Sequence, residues 1–296
     1  GMANRYTYVP LIGIFFMSGW GLQALVQKWP RLRKTVIATV TVWAVALVPL
    51  AYYQTYLWRS TQALFERAVV VAPSLLAHVN LGADYLRYNK LHEAEVQFNR
   101  ALALDSTYPE ALSGLGEVYL KQQDYKHAEE YFRAALNQAP YLAETWNSLG
   151  VTYAEQGKYE EALGYYQKAI EQRPDSSLTL GNIGVALLVL KRPEDAEAYL
   201  RRAVALDPTN ETALYNLGVL TLDAGRNEEA MQLIEASLRL QPDDGDAVYH
   251  LGVAYERMGR LDAATAHYRR ALVLSPGMPE AVKALEALEE DQVAAP

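Results

Sequence analysis

The chain has no cysteine and only five histidines in 296 residues. The missing thiols exclude disulfides, thiolate metal centres and cysteine nucleophiles, and they leave the redox compartment open. The histidines (His78, His92, His127, His250 and His267) never fall three or four residues apart, so no helix face carries a pair of metal-ligating imidazoles. Glycines are plentiful but never cluster as a phosphate-cradling loop. Carboxylate pairs such as Glu160-Glu161, Glu228-Glu229 and Asp243-Asp244 stand at expected helix starts, where the helix dipole and water account for them. No catalytic, cofactor-binding or metal-binding residue is assigned, and the chain reads as non-enzymatic.

Acidic residues are absent from residues 1–58, which hold five basic ones: Arg5, Lys28, Arg31, Arg33 and Lys34. The rest of the chain carries 22 basic against 35 acidic side chains, a net of −13. A surface that acidic repels nucleic acid, so no nucleic-acid partner is expected.

The mean hydropathy of −0.11 conceals two long apolar runs. Tyr6 to Gln27 is 22 residues without a formal charge and Thr35 to Trp58 another 24, each long enough to cross a hydrocarbon core of about 30 Å as a helix. Two transmembrane helices are therefore expected, at about 8–27 and 35–57, with Tyr6, Tyr8, Trp29, Tyr52, Tyr53, Tyr56 and Trp58 near the water boundaries. Four basic residues between Lys28 and Lys34 place the link on the cytoplasmic side, which sets everything after residue 58 outside the cytoplasm. The expected location is an integral membrane protein, of the bacterial inner membrane, with a periplasmic C-terminal region. No cleavable secretory leader is recognisable at the front.

Beyond residue 58 an internal period takes over. Leu81-Gly82, Leu115-Gly116, Leu149-Gly150, Ile183-Gly184, Leu217-Gly218 and Leu251-Gly252 recur every 34 residues. With each repeat starting six residues before its pair, position 8 is Gly and position 20 is Ala: Ala94, Ala128, Ala162, Ala196, Ala230 and Ala264. Small residues at both places let two helices approach closely. Large residues fill position 24 (Phe98, Phe132, Tyr166, Leu200, Ile234, Tyr268) and most of position 11, where Thr221 is the polar exception. Position 32 is Pro140, Pro174, Pro208, Pro242 and Pro276, with Ser106 breaking the series. Asn89, Gly157, Gly225 and Gly259 suit left-handed helix closure between the two helices, and Pro193 suits a helix first turn.

This register resembles the tetratricopeptide-repeat (TPR) family. The resemblance implies an all-α fold, a right-handed superhelical TPR solenoid preceded by the two transmembrane helices. Residues 1–58 form the membrane segment, 59–74 a half repeat, 75–276 six repeats, and 277–296 a capping helix and tail whose outer face, with Glu286 and Glu289, is expected to be wet. The N-terminal stretch, through Arg5, Tyr6, Tyr8 and Pro10, resembles the last membrane helices of bacterial multi-spanning TPR proteins related to transmembrane-and-TPR O-mannosyltransferases. That resemblance implies that the chain is the C-terminal part of a longer lipid-linked-sugar-dependent glycosyltransferase. No catalytic residue carries over, because residues 1–58 contain no Asp or Glu.

In this family position 6 faces a concave groove, and here it reads Asn80, Gly114, Ser148, Asn182, Asn216 and His250. The series resembles the asparagine ladder of the O-linked N-acetylglucosamine transferase, whose amides hold a peptide backbone by donating and accepting at once. Two readings stay open: a ladder that grips an extended segment, or amides that only solvate the groove, facing water when it is empty. Position 9 adds an apolar floor with Val185, Val219 and Val253, and position 13 adds the cations Arg87 and Lys121. A chaperone-tail carboxylate clamp is disfavoured, since Val79 and Ala83 stand where that motif needs Lys and Asn. The expected function is a membrane-anchored scaffold whose extracytoplasmic groove binds a protein or peptide segment, without cofactor. The alternatives are the substrate-recruiting tail of the glycosyltransferase and an envelope assembly or export factor.

Overall fold

The computed structural model describes residues 27–39, 41, 42, 45 and 61–294. The chain divides into two compact units, 1–73 and 74–296. In the first unit a 3-10 turn, Pro30–Leu32, leads into helical residues 33–39, and helix α1 spans Thr61–Val71. Among the described residues no helix is long and apolar enough to cross a membrane. The expected span 8–27, apart from Gln27, and most of 35–57 lie outside the described residues.

The second unit is a run of paired helices. The first helices of the six repeats are α2 (Leu75–Arg87), α4 (Pro109–Lys121), α6 (Ala143–Ala154), α8 (Ser177–Val189), α10 (Glu211–Asp223) and α12 (Gly245–Arg257). The second helices are α3 (Leu91–Leu104), α5 (Tyr125–Gln138), α7 (Tyr159–Gln172), α9 (Pro193–Leu206), α11 (Asn227–Leu240) and α13 (Leu261–Leu274), and α14 (Pro279–Ala294) closes the run.

Local chemistry sets the helix ends. Ser74, Asp124, Ser176, Asn210 and Asp244 cap helix N-termini by accepting backbone N–H bonds, while Pro109 and Pro193 occupy first turns. The turn inside each hairpin is left-handed, at Asn89, Gln123, Gly157, Lys191, Gly225 and Gly259, with φ between 56° and 75°. Gln123 and Lys191 therefore hold a conformation that glycine takes more cheaply. The residue before each position-32 proline leaves the helical region, at φ −128° to −139° and ψ 78° to 98°, since the proline ring disfavours helical backbone there. Where Ser106 replaces that proline, the Asp105 carboxylate accepts from the Thr107 N–H at 3.0 Å and holds the same turn.

The core is the predicted one. All six position-20 alanines are fully buried. Phe98, Phe132, Tyr166, Leu200, Ile234 and Tyr268 lie across the position-8 glycines so closely that an added β-carbon would stand 2.5–2.8 Å from them. Thr221 is accommodated because its hydroxyl donates to the Gly218 carbonyl at 2.9 Å. On α14, Ala281 and Leu288 are buried and Glu286 is exposed, as a cap requires; the side chain of Glu289 lies outside the described residues.

Candidate partner-binding groove

Each first helix touches the second helix of its own repeat and also the first helix of the next repeat, whereas the second helices pack on their neighbours in sequence. The first helices are therefore the closer-spaced set, and they line the inner face of the stack. Positions 2, 6, 9 and 13 are one stripe of such a helix, because side chains three, four and seven apart share a face.

Hollows open between these stripes. One of about 470 Å³ lies on α2 and α4, walled by Val79, Ala83, Leu86 and Phe98 and rimmed by Arg87, Lys121, Glu110 and Glu117. Phe98 reaches it because Gly114 has no side chain: a β-carbon there would be 2.4 Å from the ring. A second, of about 420 Å³, joins α6, α8 and α10 through Val151, Glu155, Asn182, Val185 and Thr212. A smaller one, of about 130 Å³, lies between Glu117, Asn147, Ser148 and Leu178. The groove thus brings Arg87 together with Lys121, and Asn182 together with Val185. Asn80, Asn216, Val219, His250 and Val253 stand on the same stripes without lining these hollows.

The position-6 amides are not idle. Asn182 Nδ2 donates to Asn147 Oδ1 at 3.0 Å, and Asn216 Nδ2 donates to the Thr212 carbonyl at 2.8 Å. Ser148 Oγ donates to Glu117 at 3.0 Å, and His250 Nδ1 lies 2.8 Å from the Asp246 carbonyl. For Asn182 and Asn216 this corrects the expectation that they face only water in the empty groove. Asn147, at position 5, was not anticipated; its role follows from the helix surface, where it meets the neighbouring repeat. Asn80 is the exposed one of the three asparagines, the other two being half-buried. The valines at position 9 are half-buried, so each still offers apolar surface.

On the second helices some carboxylates are paired: Glu129 with Arg133 at 2.7 Å, Glu197 with Arg201 at 2.8 Å and Arg226 at 2.7 Å, and Glu229 with Arg201 at 2.7 Å. Hydrogen bonds from Arg226 and Arg201 hold the Glu197 carboxyl down at about 2. Tyr153 donates to Glu129 at 2.8 Å and Arg133 to Tyr165 at 2.8 Å, so these side chains tie repeats together. On the groove stripe Glu155, Asp223 and Asp246 form no ion pair among the described residues. Beside them the Tyr215 hydroxyl is pushed up to about 12, by burial first and then by Asp246, Asp244 and Glu211. Sequence reading by position 6 missed this carboxylate set, which sits at positions 2 and 13 and was legible there.

The Asn210-Glu211-Thr212 sequon is structural: Asn210 Nδ2 donates to the Ser177 carbonyl at 3.1 Å and its Oδ1 caps α10. Among the described residues no group of three or more His, Asp or Glu side chains is placed to hold a metal ion.

These features agree with the comparisons to known proteins. The family model described as "Cilia and flagella-associated protein 70 C-terminal domain", a TPR model, matches residues 109–294, and a TPR repeat model matches residues 82–123. The chain belongs to this tetratricopeptide-repeat family. Among solved structures, this TPR chain is similar to PilF of Pseudomonas aeruginosa, with a TM-score of 0.66 and 23% identity over 71% of this chain and 95% of that one. PilW, a type IV pilus biogenesis factor, gives 0.61 and 22% over 71% and 98%. YrrB, a TPR protein with an unusual peptide-binding site, gives 0.53 and 22% over 64% and 97%. At such identities the likeness is one of fold. None of the curated proteins matches the chain.

Proposed function

We propose that this TPR chain is a protein–protein interaction scaffold that holds a partner segment along its first-helix groove. The observation that carries this reading is the groove itself: hollows of about 470 and 420 Å³ lined by apolar side chains with polar rims, on the face where successive first helices meet. Asn80, Ser148, Asn182, Asn216 and His250 offer backbone-matching polar groups, Val185, Val219 and Val253 the apolar floor, and Arg87 and Lys121 the positive end. No described residue is given a catalytic role.

Membrane anchoring, with the repeats outside the cytoplasm, completes the proposal. It is supported by the charge-free runs around residues 8–27 and 35–57 and by the basic link between them. Ile37, Val42 and Val45 are each more than half exposed, which suits contact with lipid. The reading as the tail of a sugar transferase rests on Arg5, Tyr6, Tyr8 and Pro10, and neither family model extends to them.

Photo-crosslinking tests the groove. A photoreactive residue at Val219 in the full chain is expected to capture a protein that the same residue at Ala198, exposed on α9, does not. Equal capture at both positions contradicts the reading. Resistance of the full chain to carbonate extraction, with the repeats open to protease added outside the cytoplasm, tests the anchor; release by carbonate contradicts it.

A further inference from the structure

We infer that the middle of the groove takes a basic segment with an apolar anchor: its Leu- or Phe-like side chain on α8, its Lys or Arg side chains on the flanking carboxylates. This rests on the docking reading above and adds the chemistry of the partner.

Two observations converge. First, α8 belongs to the one repeat of the six with no charge at positions 2, 6, 9 and 13, which are Leu178, Asn182, Val185 and Val189. Leu178 is 63% exposed and Val189 49%. Apolar side chains that exposed, aligned on one stripe beside a hollow of about 420 Å³, have surface to lose to a partner. Second, the stripes on either side, on α6 and α10, carry carboxylates and no cation of their own, and α12 beyond them carries Asp246 together with Arg257. Glu155 shares the hollow with Val185, and Asp223 and Asp246 follow on α10 and α12. Glu144 is neutralised by Arg173, and the position-13 cations stand near the ends of the stack, Arg257 committed to the Leu222 carbonyl. A partner cation meeting these carboxylates gains charge-assisted hydrogen bonds, and the uncompensated field steers it in; an acidic segment is repelled.

The test is calorimetric titration of the full chain with three synthetic peptides of equal length. One has Leu and Phe flanked by Lys, the second has every Lys replaced by Glu, and the third has Leu and Phe replaced by Ser. The first is expected to bind about tenfold or more tighter than either other, and to weaken as salt rises. Leu178→Ser, and Glu155→Gln combined with Asp223→Asn, are each expected to weaken it about tenfold, with unchanged helical circular dichroism. All these positions are exposed, so the fold does not depend on them. Tighter binding of the Glu peptide overturns the inference and leaves the groove as a docking surface for acidic partners. Binding of the Lys peptide that neither variant weakens overturns it as unspecific attraction. Failure of all three peptides overturns it too, while the docking reading falls only if groove crosslinks also fail.

Discussion

The Tyr166 ring lies across Gly150, with Cδ1 and Cε1 each 2.5 Å from the point where a β-carbon on that glycine would stand. The contact joins the two helices of one hairpin, and it recurs with Phe98, Phe132, Leu200, Ile234 and Tyr268 in the other repeats. Gly150→Ala therefore forces a fully packed ring to move, and is expected to cost about 1–3 kcal/mol in urea denaturation. Gly164, exposed on helix α7 with nothing within 4 Å of its would-be β-carbon, is the control; Gly164→Ala is expected to stabilise by about 0.5–1 kcal/mol. Hydrogen exchange should rise first in the repeats around α6 and α7. Equal effects at the two glycines contradict the register.

Lys191 and Gln123 take φ of 58° and 62° where three other repeats have glycine and the first has Asn89. Lys191→Gly relieves that strain but adds freedom to the unfolded chain, so a gain of no more than about 1 kcal/mol is expected. Gly225→Ala, at φ 75°, should lose about as much. Thermal denaturation of the two variants reads the signs, and a loss for Lys191→Gly contradicts the assignment.

Glu197 links two repeats through Arg201 and Arg226. Its carboxyl lies at about 2, below its ordinary 4.5, so the pairing stabilises the fold fully above about pH 4.5 and is lost as pH falls toward 2. The side chain is part-exposed, which limits the contribution to about 1 kcal/mol. Glu197→Gln should therefore destabilise at pH 6 and converge with the parent chain near pH 2–3. A difference that stays constant across that range contradicts the linkage.

The repeat fold was legible because 34-residue periodicity fixes several columns at once: glycine at 8, alanine at 20, a large residue at 24. Those positions are dictated by packing between helices that the repeat itself supplies. The left-handed turns at Gln123 and Lys191 were hidden, since neither residue type announces a positive φ. The groove was legible in outline through position 6, but the partners of its amides were not. The Asn182 to Asn147 bond joins different repeats, 35 residues apart, and depends on how the helices are set against each other.

Those bonds separate two roles for the ladder. Asn182→Ala strands Asn147 and is expected to cost about 0.5–1.5 kcal/mol of stability, whereas Asn216→Ala, which loses a bond to its own helix, should stay within about 0.5 kcal/mol. If the amides also grip a backbone, the double variant should weaken partner binding by roughly tenfold to thirtyfold. Calorimetry with the segment found by crosslinking reads this, and unchanged affinity removes the ladder from the binding mechanism.

The most direct measurement is amide hydrogen exchange of the full chain with and without its crosslinked partner. A segment lying in the groove is expected to slow exchange in the first helices α6, α8 and α10, leaving α7, α9 and α11 unchanged. Protection confined to the second helices would place the partner on the opposite face and contradict the groove as the binding site.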